Sequence, residues 1–325
     1  MQIPEHWAEA RVEGKVNGKK RVIRRFGWSD VSDDAARENA TRRANDAMRE
    51  LQAGKAVPPR EPKLSYGGLG LPIREQILAK NGDVVITRNS YGAHCLNVPD
   101  VLFADVDVSL RLSWPQTVFL LGSVTSLIVT GLSMNLRGCW LPIVCFVVPM
   151  IVLAARASWL QRLNATRFHG RRRRRLHARI RAFAAANESV RLAVYETPAG
   201  LRVLALHARF DPNSEVSRTL LRDLGSDPAY AQMCELQACF RARVSGKPWR
   251  MNVRHIRPRP GVWPVHPDRR ATRDEWVAEY EAASVRFAAC RHVEDLGTGR
   301  IDPRCAEVQR IHDELSRART DLPLA

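Results

Sequence analysis

Hydrophobic and polar positions follow three patterns along the 325-residue chain: alternation, helical spacing and unbroken apolar runs. Arg11 to Trp28 places β-branched and aromatic residues among charges on either side of Asn17-Gly18, which predicts a β-hairpin. Ser32-Asp33-Asp34-Ala35 then reads as an N-cap with acids in the first turn, opening a helix that runs to about Ala53. Gly54 to Pro62 holds three prolines and reads as a linker. Leu71 to Lys80 reads as a short helix opened by Pro72 and closed by Asn81-Gly82. Asp83 to Asn97 is predicted as a strand or hairpin, and Val101 to Ser109 as a second strand.

The unbroken runs come next. Leu112 to Leu136 contains 25 residues without a charge, and Gly138 to Ala155 contains 18 more. At about 1.5 Å per residue the second run reaches roughly 27 Å, against a hydrocarbon core of about 30 Å. The pattern predicts a two-helix transmembrane hairpin over residues 111–156, with a buried helical hairpin in a soluble core as the competing reading. Trp114, Trp140 and Trp159 fall where an aromatic belt would lie.

Beyond the hairpin, Arg171 to Asn187 is predicted helical. Arg191 to Tyr195 and Leu201 to His207 are predicted strands, joined through the turn Thr197-Pro198-Ala199-Gly200. Glu215 to Ala238 holds one or two helices broken at Gly225 to Pro228, and Cys239 to Val244 is a last strand. His255 to Pro267 reads as extended; Ala271 to Ala289 and Asp302 to Ala318 read as amphipathic helices. The expected fold is α+β: an antiparallel-rich sheet with helices on one face, a ferredoxin- or RRM-like core interrupted by the hairpin. The expected segments are an N-terminal hairpin, helix and linker (1–62), a first part of the α+β domain (63–110), the hairpin (111–156), an Arg-rich helix (157–187), a second part of the domain (188–253) and a C-terminal extended and helical segment (254–325).

Charge changes this picture. The net charge is +17, and residues 156–187 alone contribute ten Arg with no acid. By the positive-inside rule this excess orients the hairpin with both termini cytoplasmic, at the inner membrane of a bacterial cell. Arg171, Arg172, Arg173, Arg174 and Arg175 are then candidates for contact with anionic lipid headgroups, with nucleic acid as the alternative. The seven Cys are scattered and form no CxxC pair, so neither a zinc site nor a disulfide framework is indicated.

Candidate chemistry centres on Asp105-Val106-Asp107. Residues two apart on a strand share a face, so two carboxylates would meet on an apolar strand, an arrangement that Mg²⁺ or Mn²⁺ resolves and that solvent or Arg pairing also resolves. Ala205-Leu206-His207 ends the later strand hairpin. Together these motifs resemble the archaeo-eukaryotic primase (primase-polymerase) superfamily over roughly residues 71–250, the hairpin excluded. The resemblance implies Asp105 and Asp107 as metal ligands and His207 as a nucleotide contact. The chain departs from the family's pattern at the last core strand, where Cys239 to Val244 holds no acid to complete the metal set. There is no Walker motif, GxSxG or HExxH. The sequence therefore points first to a non-enzymatic, membrane-anchored protein whose cytoplasmic α+β domain binds a partner or nucleic acid at the inner face of the membrane. The alternative is a divalent-metal-dependent nucleotide-binding or nucleotidyl-transfer protein.

Overall fold

The computed structural model describes residues 1–61, 71–107, 170–261 and 263–325. Residues 1–107 and 179–325 make one compact unit, and residues 108–178 make another. In the second unit the described residues, 170–178, are helical.

The first unit begins with an antiparallel hairpin, β1 (His6–Val16) and β2 (Lys19–Ser29). Its turn needs left-handed backbone at both central residues, which Asn17 (φ 50°) and Gly18 (φ 75°) supply. Helix α1 (Asp33–Gln52) is capped by Ser32, whose side chain accepts from the Ala35 N–H. Ala36, Ala40, Ala44 and Ala47 line its buried face at helical spacing. They let the helix lie so close to β2 that a Cβ on Gly27 would sit 2.1 Å from the Ala40 nitrogen.

Two four-stranded antiparallel sheets follow. One holds β3 (Gln76–Asn81), β4 (Val84–Arg88), β5 (His94–Val98) and β9 (Phe240–Arg243), in the order β3-β4-β5-β9. The other holds β6 (Phe103–Asp107), β7 (Leu192–Glu196), β8 (Gly200–Ala205) and β10 (Arg291–Leu296), in the order β10-β7-β8-β6. The helices are α2 (residues 170–185), α3 (Glu215–Leu224), α4 (Pro228–Gln237), α5 (Arg270–Ser284) and α6 (Pro303–Ser316).

The α+β class with antiparallel sheets is present, but the single ferredoxin-like core is not. Strand β9, expected as the last strand of one shared core sheet, pairs with β5 in the sheet that lacks the Asp strand. Residues 76–81 form a strand rather than the end of a helix, because Asn81-Gly82 turns them back onto β4. Strand β10, polar along much of its length, occupies a sheet edge that apolar periodicity does not announce.

The membrane expectation is corrected. Among the described residues no helix is long and apolar enough to cross a membrane. The longest, α1, has 20 residues but carries nine charged side chains. The expected hairpin over 111–156 lies outside the described residues. An uncharged run fixes only a length, and the second run was at the short limit, with Pro142 and Pro149 inside it. The two integral spans, the membrane-anchored function, the inner-membrane location with cytoplasmic termini and the lipid partnership have no support in the structure.

Candidate functional site

A cleft of about 830 Å³ opens within the first unit. The end of β6 forms one wall. Asp105 lies directly opposite Arg202 of β8, and Asp107 opposite Gly200. Gly200 is required there, since a Cβ would approach the Val106 carbonyl oxygen to 2.0 Å. The turn Thr197–Gly200 has the expected form: Thr197 Oγ1 accepts from the Gly200 N–H at 3.0 Å, and Thr197 and Ala199 line the cleft.

Arg202 is almost fully buried and ties this wall together. Its Nε donates to Asp105 Oδ1 at 2.8 Å, and its Nη2 to Oδ2 at 3.3 Å. Nη1 donates to the Arg243 carbonyl oxygen at 2.8 Å and lies 3.3 Å from His312 Nε2. Burial alone would lower the guanidinium pKa, but the Asp105 charge overrides it and the net shift is upward. A third carboxylate comes from the loop between α3 and α4. The Asp227 N–H donates to the Asp105 carbonyl oxygen at 2.9 Å, and its side chain caps α4. Enclosure in the cleft, then the charges of Asp105 and Asp227, push the Asp107 pKa up.

Strand β9 and the segment after it supply the cations. Arg241 is paired with Glu75 and also donates to Gln237 at 3.2 Å. Arg243 donates to the main-chain oxygens of Ser245 and Ala325. Lys247 and Arg250 flank Pro248 and Trp249 in and around a single 3₁₀ turn. Among the described residues neither has a salt bridge, and Arg250 Nη1 is buried without a hydrogen-bond partner. Burial, then the neighbouring Arg243 and Arg250, lowers the Lys247 pKa; burial and Arg243 lower that of Arg250. Asp107 opposes both shifts without pairing with either residue.

Aromatic rings complete the cleft: Trp7, Phe26 and Trp28 from the N-terminal hairpin, with Tyr91 and Trp263. Tyr91 is presented by a turn in which Asn89 Oδ1 accepts from the N–H groups of Tyr91, Gly92 and Ala93. Arg43 lies over Trp28 at 4.7 Å and Arg74 over Phe26 at 3.5 Å.

Of the residues singled out in the sequence, Asp105 and Asp107 line this cleft and His207 does not. Strand β8 runs from Gly200, opposite Asp107, away toward Leu204, opposite Phe103. At about 3.3 Å per residue, His207 lies about 20 Å from the Asp107 end. There its Nδ1 sits 3.3 Å from the Arg191 carbonyl oxygen and its ring packs edge-on against Phe210. Arg171 to Arg175 lie on α2; all but the half-buried Arg173 are exposed. Two later members of the Arg-rich segment have structural partners: Arg181 makes a two-point contact with Glu294, and Arg179 donates to the Arg222 carbonyl oxygen at the end of α3.

The metal expectation fares differently from the placement of the acids. Asp105 commits both carboxylate oxygens to Arg202, and among the described residues no group of three or more His, Cys, Asp or Glu could hold a metal ion. The donor set does not fit Mg²⁺ or Mn²⁺, which takes about six oxygen ligands. The five described Cys residues are buried free thiols. Sequence reading missed Arg202, Lys247 and Arg250 as cleft residues. A signal was present: Arg241 to Pro267 contains seven Lys and Arg and no acid.

No protein-family model, curated protein or solved structure matches the chain. The resemblance to the primase-polymerase superfamily is neither supported nor opposed by those comparisons.

Proposed function

We propose that the cleft binds a phosphorylated ligand of the nucleotide class. The observation that carries this reading is the set Arg243, Lys247 and Arg250. Three cations line one cleft, two of them lack salt bridges among the described residues, and the charges of Arg243 and Arg250 lower the affinity of Lys247 for its proton, as that of Arg243 does for Arg250. Such crowding of like charges is unfavourable and is relieved by a polyanion. The ring faces of Tyr91 and Trp263 in the same cavity suit a planar base. The volume is also in the range of small-molecule sites.

The nucleotide class agrees with what the primase-polymerase resemblance implies. Nucleotidyl transfer is not part of the reading, because Asp105 is committed to Arg202 and no metal-holding set accompanies it among the described residues. Asp105 and Asp107 act here as the acidic wall that orients Arg202 and opposes the cations. The test is calorimetric titration of the full chain with nucleoside triphosphates, nucleosides and inorganic triphosphate. Binding of the triphosphates, weakened about tenfold or more in Lys247→Ala and Arg250→Ala, is expected. Equal affinity for nucleoside and triphosphate, or wild-type affinity in both variants, rejects the reading.

A further inference from the structure

A second basic surface begins where the cleft ends. Residues 254–259, Arg-His-Ile-Arg-Pro-Arg, are held from beneath by apolar packing. Met251, Val253 and Ile256 are buried in one cluster with Trp276 and Tyr280. The Trp276 indole N–H donates to the Arg254 carbonyl oxygen at 2.9 Å, and Arg273 Nε to the Arg257 carbonyl oxygen at 2.7 Å. With the backbone fixed in this way, Arg254, His255, Arg257 and Arg259 are all exposed. They line a groove of about 460 Å³, and among the described residues no carboxylate pairs with any of these three Arg.

Three rings lead to this groove. Tyr91 lines the cleft, Trp249 follows at 5.6 Å between centroids, and His255, in the groove wall, follows Trp249 at 5.6 Å. Trp249 is 47% exposed, an unusual position for an indole, and Lys247 lies 5.6 Å from its ring. Exposed ring faces flanked by unpaired cations match the needs of unstacked bases joined by phosphates. A duplex keeps its bases stacked on each other and offers no face to Trp249. An acidic peptide would use the Arg side chains but leave the indole without a role.

We propose that single-stranded nucleic acid binds across Trp249, its bases stacking on the exposed ring and its phosphates contacting Arg254, Arg257 and Arg259. This surface borders the cleft at Tyr91 and Lys247 but needs neither Arg243 nor Arg250. The test is fluorescence anisotropy of labelled oligo-dT and oligo-U with the full chain over a range of salt concentrations.

Affinity should fall with salt, and the variant Arg254→Gln/Arg257→Gln/Arg259→Gln should flatten the log–log slope by about 2, at roughly 0.7 for each phosphate that no longer meets an Arg. Trp249→Ala should weaken binding by about 5- to 150-fold and leave the slope unchanged. The triple Arg variant, which touches no residue lining the cleft, should still bind nucleoside triphosphate, which separates failure here from failure of the cleft reading. Replacing Arg171 to Arg175 by Gln should preserve the Trp249-dependent part. Wild-type binding in the triple variant or in Trp249→Ala overturns the proposal. So does competition by poly-glutamate or anionic vesicles as effective as that by oligonucleotide, which would mark a general polyanion surface.

Discussion

Arg202 and Arg241 sit on the same cleft as Lys247 and Arg250, but the two pairs are held differently. The first two are buried and each faces a carboxylate, Asp105 or Glu75, at hydrogen-bond distance. Burial lowers an Arg pKa, yet in both cases the paired carboxylate reverses the direction. Lys247 and Arg250 are half-buried, face other cations, and have lowered pKa values. A charge neutralised at short range fixes structure, because removing either partner strands the other in low dielectric. A charge held near like charges leaves attraction unused until an anion arrives. The contrast assigns Arg202 and Arg241 to the fold and Lys247 and Arg250 to the ligand.

The largest expected effect lies on the structural side. Asp105→Ala leaves Arg202, 2% exposed, without its carboxylate. We expect a loss of about 3–5 kcal/mol in denaturant unfolding. The apolar double variant Asp105→Val/Arg202→Leu should recover most of it, because the stranded charge is then gone. An Asp105→Ala protein as stable as wild type would erase the distinction between the two pairs.

The ligand side should show the opposite behaviour. Lys247→Ala and Arg250→Ala should each weaken triphosphate binding by about 1.5–3 kcal/mol, the worth of a hydrogen bond to a charged group. Their unfolding free energies should stay within about 0.5 kcal/mol of wild type. The Lys247 shift also gives a pH test. Its ammonium loses a proton at lower pH than an ordinary lysine, so binding should weaken as pH rises toward the normal lysine range. Lys247→Arg keeps the charge and should abolish that alkaline limb. A limb unchanged in this variant would assign it to another group.

Much of the fold could be read locally, and most of the site could not. Asn17-Gly18, the Ser32 cap and the Thr197–Gly200 turn are set by residues within a few positions of one another, so their chemistry is visible in sequence. The contacts that build the cleft join residues 97 apart (Arg202 and Asp105) and 166 apart (Arg241 and Glu75), which no periodicity reports. Asp105 and Asp107 were legible as a pair on one face. That one of them answers to an Arg rather than a metal was decided by β8, the strand opposite. His207 shows the limit of motif reading, for it follows the same strand but lies at its other end. Charge misled through averaging: the acid-free stretch from Arg241 to Pro267 spans the 253/254 boundary, and acids on either side cancel it in any coarse sum.

Arg88 offers the finest test of the comparison, because it stands between the two classes. It is buried like Arg202, but its carboxylate, Glu281 at 2.7 Å, is 43% exposed and also binds His94 at 2.9 Å. Arg88 also donates to the Gly92 carbonyl oxygen at 3.1 Å, as Arg202 does to that of Arg243, so what sets the two apart is the greater exposure of Glu281, 43% against 31% for Asp105, and a Gln in its place still offers an acceptor oxygen. We therefore expect Glu281→Gln to cost about 1 kcal/mol or less at neutral pH, far below Asp105→Ala. The cost should also depend on pH in a defined sense. Burial raises the Glu281 pKa, but hydrogen bonds from His94 and Arg88 outweigh it and hold the carboxyl at about 2. A depressed carboxyl stabilises the fold fully above its unfolded pKa, near 4.3, and that contribution is lost as pH falls toward about 2. Wild type and Glu281→Gln should thus differ most at neutral pH and converge across that acid window. A gap that persists unchanged to low pH would show that the side chain contributes by packing, and that solvent exposure of the carboxylate is not what separates Arg88 from Arg202.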